Sequence, residues 1–208
     1  MTRIGRRPRT SEPDEASTPD PAGGDTVTRR SPGLAALFGT LHDDGRHSIL
    51  DLGPARGRHL RLLGRFGHVV RFAGLVPRPS DEADWLQMLI TLPANGQRPY
   101  DVVLLWDLLD RLTEGERPPV IARIAHVAAG SARLYAVVDA SDSVTTRPLA
   151  FDLVDLDRVT QIPVGPPEPA GRQILPAQVE RALDPFKVVS AFTLRGGLRE
   201  YVAQKEER

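Results

Sequence analysis

Three small residues at alternate positions, Gly53, Ala55 and Gly57, punctuate the stretch ILDLGPARGRHLRLL at residues 49–63. An apolar strand signal precedes them and a basic helical signal follows. A turn placed there lets backbone amides approach a ligand closely, because glycine adds no Cβ and alanine adds only one carbon. Asp51 stands at the end of the strand, where it can shape the loop. A second carboxylate, Asp107, follows DVVLLW at residues 101–106, at the carboxyl edge of a sheet where α/β proteins hold ligands. Asp107 also suits an N-cap of the turn LLDRL, with Asp110 and Arg111 as a solvated pair.

Other chemistries find less support. A dinucleotide fingerprint requires G-x-G-x-x-G, and residues 53–58 read G-x-A-x-x-R, so the register fails. Arg78, the one residue that could meet a 2′-phosphate, lies in a Pro-flanked loop that favours solvation. Ser141 and Ser143 lack a G-x-S-x-G elbow, which removes the support for a serine hydrolase. Asp139 beside them lies on the same crevice edge. His42, His47, His59, His68 and His126 show no i, i+4 pairing, so no metal is expected. His59, in the helix after the glycine turn, reads as a solvated surface residue.

The elements that must position these residues alternate along the chain. Residues 1–30 are rich in Pro, Ser, Thr and charge, and are expected to form a disordered arm. Ser31 and Pro32 then start a helix carrying Leu34, Leu37, Phe38 and Leu41 on one face. Strands are expected at 48–52, 69–76, 101–106 and 132–138. Helices are expected at 58–66, from Ser80 through Trp85, Leu86, Leu89 and Ile90, and at 116–128 with Pro118 and Pro119 in its first turn. Residues 140–175 break the rhythm: FDLVDLDRVTQIPV suggests a small hairpin or irregular insert, and VGPPEPAGR a loop. A short helix from Pro176 and two strands around Gly196 and Gly197 close the chain.

Composition narrows the setting. The chain has 208 residues, no cysteine and a formal net charge of zero. That length favours one core, and the charge balance draws it to neither nucleic acid nor anionic membrane. The arginines are spread along the sequence instead of forming a phosphate-binding patch. With no apolar run of about 18 residues and no secretory signal, a soluble cytoplasmic protein is expected.

The order of elements, with ILDLGPARG, YDVVLLWDLLDRL and the terminal RGGLREYVAQK hairpin, resembles the class I S-adenosylmethionine-dependent methyltransferases over residues 33–205. The resemblance implies an α/β fold: a Rossmann-like three-layer sandwich whose mainly parallel sheet ends in an antiparallel C-terminal hairpin, spanning residues 31–208. It implies S-adenosylmethionine as cofactor. Gly53, Ala55 and Gly57 would face its methionine and ribose part, and Asp51 would act through the loop. Asp107 would lie near the sulfonium, and Trp106 would either border the adenine or belong to the core. The irregular 140–175 segment would shape the pocket of a small-molecule or protein acceptor.

Two departures accompany the resemblance. Where the family carries a ribose-binding acid after the second strand, this chain has Leu75, Val76 and Pro77, with Asp81 and Glu82 only in the following helix start. Where the family places an adenine-binding acid, LPANGQRPYD offers Asn95 and Gln97. These leave an alternative: a non-catalytic interaction or scaffolding subunit that engages a protein partner, with the N-terminal arm as a candidate contact. No Asn/Asp-Pro-Pro-Tyr run follows the fourth strand, which argues against nucleobase or amide nitrogen as the acceptor.

Overall fold

The computed structural model describes residues 26–75, 89, 98–141, 145–146, 149–164, 168–169 and 174–206. Most of the expected arm, and the helix expected from Ser80, lie outside these residues. So do Val76, Pro77, Arg78, Asp81, Glu82, Asn95, Gln97 and Ser143. Leu89 is the exception in its segment: it is helical and fully buried.

The chain opens with β1 (Val27–Arg30), α1 (Pro32–Phe38), β2 (His47–Asp51), α2 (Gly57–Leu63) and β3 (Gly67–Phe72). Ser31 caps α1: its backbone is extended and its Oγ accepts from Leu34 N at 3.2 Å, while Pro32 needs no donor in the first turn. Next come β4 (Tyr100–Trp106), α3 (Leu108–Arg111), α4 (Arg117–Val127) and β5 (Ala128–Asp139). The expected insert holds β6 (Thr145–Thr146), β7 (Leu149–Asp155), β8 (Arg158–Pro163) and β9 (Glu168–Pro169). Then α5 (Pro176–Ala182) leads to β10 (Phe186–Thr193) and β11 (Leu198–Lys205). Gly196 and Gly197 both have positive φ, which is why this hairpin turns on two glycines.

Six strands form one sheet in the order β3-β2-β4-β5-β11-β10. The first four run parallel, and β11 is antiparallel to both β5 and β10. Because β4 is buried on both faces, its apolar run needs no polar alternation. Val102, Leu104 and Trp106 face α1 and α2 with Leu37 and Leu63, whereas Val103 and Leu105 face α4 and α5 with Ile121 and Val179. Helices therefore cover both faces, giving a Rossmann-like three-layer sandwich. Among the described residues no helix is long and apolar enough to cross a membrane.

Two local expectations change. Val27–Arg30, assigned by composition to the arm, instead pair with β8 as an edge strand. Tertiary pairing overrides the weak local signal of VTRR. With β7 this makes a three-stranded antiparallel sheet, β1-β8-β7, packed on the face of α1 and α2 through Phe151, Leu153 and Val159. Within the Pro/Gly stretch, Glu168–Pro169 pair with Thr145–Thr146, where only a loop was expected.

Candidate functional site

From β2 the chain moves outward to β3, whereas β4 lies on the other side of β2. The strand order reverses between β2 and β4, and in open α/β sheets ligands bind outside the carboxyl ends at such a point. The two strands end there in Asp51 and Trp106.

On the β2 side Asp51 is fully buried. Its Oδ1 accepts from Gly53 N at 2.8 Å and from Trp106 Nε1 at 2.7 Å. The carboxyl group thus fixes the turn and ties it to β4. A Cβ on Gly53 would stand 3.1 Å from both Asp51 Oδ1 and Trp106 Nε1, so the turn is tightly packed on its inner side. Among the described residues a Cβ on Gly57 would meet nothing within 4 Å, and Ala55 and Gly57 are both exposed. The turn is closed inward and open outward, as a ligand cradle must be.

His59, one turn into α2, is buried rather than solvated, with 1% exposure. It shares a helical face with Leu63, and that spacing is the signal that identifies its orientation. Its Nε2 lies 3.3 Å from Asp51 Oδ2, and its ring stands edge-on to Trp106 at 5.4 Å and to Phe72 at 6.1 Å. Burial pushes the Asp51 carboxyl up to about 7, against the hydrogen bonds from Trp106 and Gly53. Burial and the nearby Arg56 charge hold His59 down at about 4.

The β4 side is arranged differently. Trp106, at φ 55°, turns its ring into the core, where it stacks on Phe151 of β7 at 4.9 Å and meets Tyr135 edge-on. Asp107 makes no capping bond with α3. Both its oxygens instead accept from Arg111 Nη2, at 2.7 and 2.6 Å. A guanidinium at i+4 offers a charge-assisted bond that a backbone amide cannot match. Arg111 also donates to Leu149 O at 2.7 Å and Leu75 O at 3.4 Å, joining three segments around the crevice. Asp107 thus carries no free charge toward a ligand.

The expected Asp110–Arg111 pair is replaced as well. Asp110 accepts from Asp139 N at 2.8 Å. Burial pushes its carboxyl up to about 8, opposed by that hydrogen bond and reinforced by the charges of Asp107 and Asp139. Asp139 in turn accepts from Ser141 N at 2.8 Å, so it folds the strand end. Among the described residues no group of three or more acids and histidines is placed to hold a metal ion.

No family model and no curated protein matches the chain. Among solved structures it is similar to a 1,6-didemethyltoxoflavin-N1-methyltransferase from Burkholderia thailandensis, bound to 1,6-didemethyltoxoflavin and S-adenosylhomocysteine. The identity is 18%, with 84% of this chain and 77% of that chain covered and a TM-score of 0.48. It is also similar to a TehB-like SAM-dependent methyltransferase from Corynebacterium glutamicum, at 16% identity over 84% and 88% of the two chains, with a TM-score of 0.49. A SAM-dependent methyltransferase from Methanosarcina mazei is 13% identical over 83% and 98%, with a TM-score of 0.47.

Proposed function

We propose that the crevice between β2 and β4 binds S-adenosylmethionine and that the protein transfers its methyl group to a small-molecule or protein acceptor. The observation that supports this reading is the cradle itself: a turn at the strand-order reversal, fixed from beneath by Asp51 and open above Gly57. The turn from Gly53 through Ala55 to Gly57 fits the methionine end, because among the described residues the space above Gly57 is open. Bound there, the sulfonium supplies an activated methyl group, and transfer then needs mainly an acceptor held in line with it.

The chain's own residues do the holding. The Gly53 amide is held by Asp51, which shapes the turn from beneath, so the amides from Ala55 to Gly57 are the ones that would meet the ligand. Asp107, neutralised by Arg111, serves as a wall of the crevice rather than as a counter-charge to the sulfonium. Arg111 also fixes Leu149, so the small sheet borders the acceptor side. Among the described residues no carboxylate stands at the ribose position beside Leu75, whose carbonyl is engaged by Arg111.

Calorimetric titration with S-adenosylmethionine and S-adenosylhomocysteine tests this directly. Binding is expected, with a stabilisation of about 2.7 kcal/mol at a hundred times the dissociation constant. Gly57→Glu has room for its side chain and should remain folded, yet lose the ligand by filling the cradle with a like charge. Absence of heat and of any thermal shift at millimolar ligand would overturn methyl transfer and leave the non-catalytic module.

A further inference from the structure

We propose that Asp51 works as a neutral carboxylic acid that donates its Oδ2 proton to His59 Nε2, and that this buried couple latches the Gly53–Gly57 turn. Its consequence for ligand affinity rests on the function proposed above, whereas the location of the proton does not.

The two oxygens of Asp51 have unlike surroundings. Oδ1 accepts two hydrogen bonds, from the turn and from β4. Oδ2 is buried and accepts none among the described residues, and His59 Nε2 lies 3.3 Å from it. Neither nitrogen of His59 has a hydrogen-bond partner among the described residues. A small turn of the imidazole would bring Nε2 into line with a proton on Oδ2. That single proton would serve Oδ2 and Nε2, with the imidazole hydrogen on Nδ1.

The charges around the pair favour this state. Among the described residues His59 is the one ion-pair partner of Asp51, and it is held neutral by burial and by Arg56 in the turn. An ionised Asp51 would then be an unpaired anion in a dry pocket, which is strongly disfavoured. The other elements packed there present Phe72 from β3 and Trp106 from β4. Beyond Trp106 lie Phe151 of β7 and Tyr135 of β5, whose hydroxyl is kept protonated by burial and by Glu200. None of these offers Asp51 a cation. Removing the proton would leave Asp51 an anion that only a tautomer shift of His59, placing its N–H on Nε2, could meet.

Carbon-13 NMR of the full native chain locates the proton. The Asp51 carboxyl carbon, assigned through its own backbone and checked by its loss in Asp51→Asn, is expected to titrate near 7. The Trp106 indole N–H resonance should move with the same midpoint while the His59 nitrogens remain neutral. Affinity for S-adenosylhomocysteine should fall roughly tenfold between about pH 6 and about pH 8.5, by proton linkage. Asp51→Asn, which places a permanent N–H donor toward Nε2, should abolish that fall. An Asp51 carboxylate already ionised at pH 6, or a protonated His59 beside it, would overturn the proposal. If the native protein binds no ligand at any pH, the proposed function fails, and the carboxyl titration still decides where the proton lies.

Discussion

The turns that follow β2 and β4 meet at the same crevice, and an acid stands at each, fully buried at Asp51 and partly buried at Asp107, yet they are built in opposite ways. After β2 the acid lies beneath the turn, held by hydrogen bonds from Gly53 and Trp106, and the outer surface above Gly57 is free. After β4 the acid stands at the crevice edge and a guanidinium covers it, with Arg111 reaching on to two further segments. An open cradle and a closed wall side by side give a crevice one approachable side. The difference shows that a carboxylate at a sheet edge does not define a ligand contact; what else reaches it decides.

The largest test of that contrast is Arg111→Ala. It strands the Asp107 charge in a partly buried setting, and breaking such a pair costs about 3–5 kcal/mol. Urea denaturation would show it as a lower midpoint, and adding Asp107→Asn should recover part of the loss. A midpoint equal to the native one would mean that water already solvates Asp107.

Gly53→Ala should cost about 1–3 kcal/mol, because the new methyl crowds Asp51 Oδ1 and the Trp106 indole at 3.1 Å. Thermal unfolding reads this directly, and Trp106 fluorescence should change with it.

Acids hidden by both turns also predict a pH dependence. Asp51 and Asp110 bind protons more tightly in the folded chain, up to about 7 and about 8, than in the unfolded one, where 3.8 applies. Their stabilising contribution is present below 3.8 and lost as pH rises toward those values. His59 has the opposite sign: its pKa drops from 6.5 to about 4, so its contribution is lost as pH falls through that window. Between 6.5 and about 8 only the carboxyls act, and stability should decline by at most about 1.4 kcal/mol per pH unit for each group. Denaturation midpoints across that range, with Asp110→Asn flattening the slope, check the sign. A midpoint that rises with pH would contradict it.

The smallest effect is expected for Gly57→Ala, whose methyl enters open space and should shift stability by no more than about 0.5 kcal/mol. A cost as large as that of Gly53→Ala would show that the turn is closed outward as well.

The sheet was legible because its signals are local. DVVLLW reads as a strand buried on both faces, Ser31-Pro32 as a helix start and Gly196-Gly197 as a hairpin, and all three stand where expected. The site was legible only in outline. The turn and Asp51 announce themselves, but Arg111 covers Asp107 through an i, i+4 spacing that equally suits a solvated pair. On α2 the inward face went to His59 and Leu63, leaving Leu60 51% exposed. A neutral histidine can occupy an inward position, so hydrophobicity alone misplaces it. β1 was hidden because its order comes from β8, far along the chain.

That last pairing bears on how the protein assembles. Thr28 aligns with Thr160, so β1 cannot dock until more than half of the chain beyond it has been made and folded back. Contacts so distant in sequence incur a large loop-closure entropy before they are rewarded, whereas β10 and β11 close across a short turn. The three-stranded sheet on the α1 and α2 face is therefore expected to form late. Its edge should also be among the first parts to exchange amide hydrogens, while the parallel sheet beneath it stays protected.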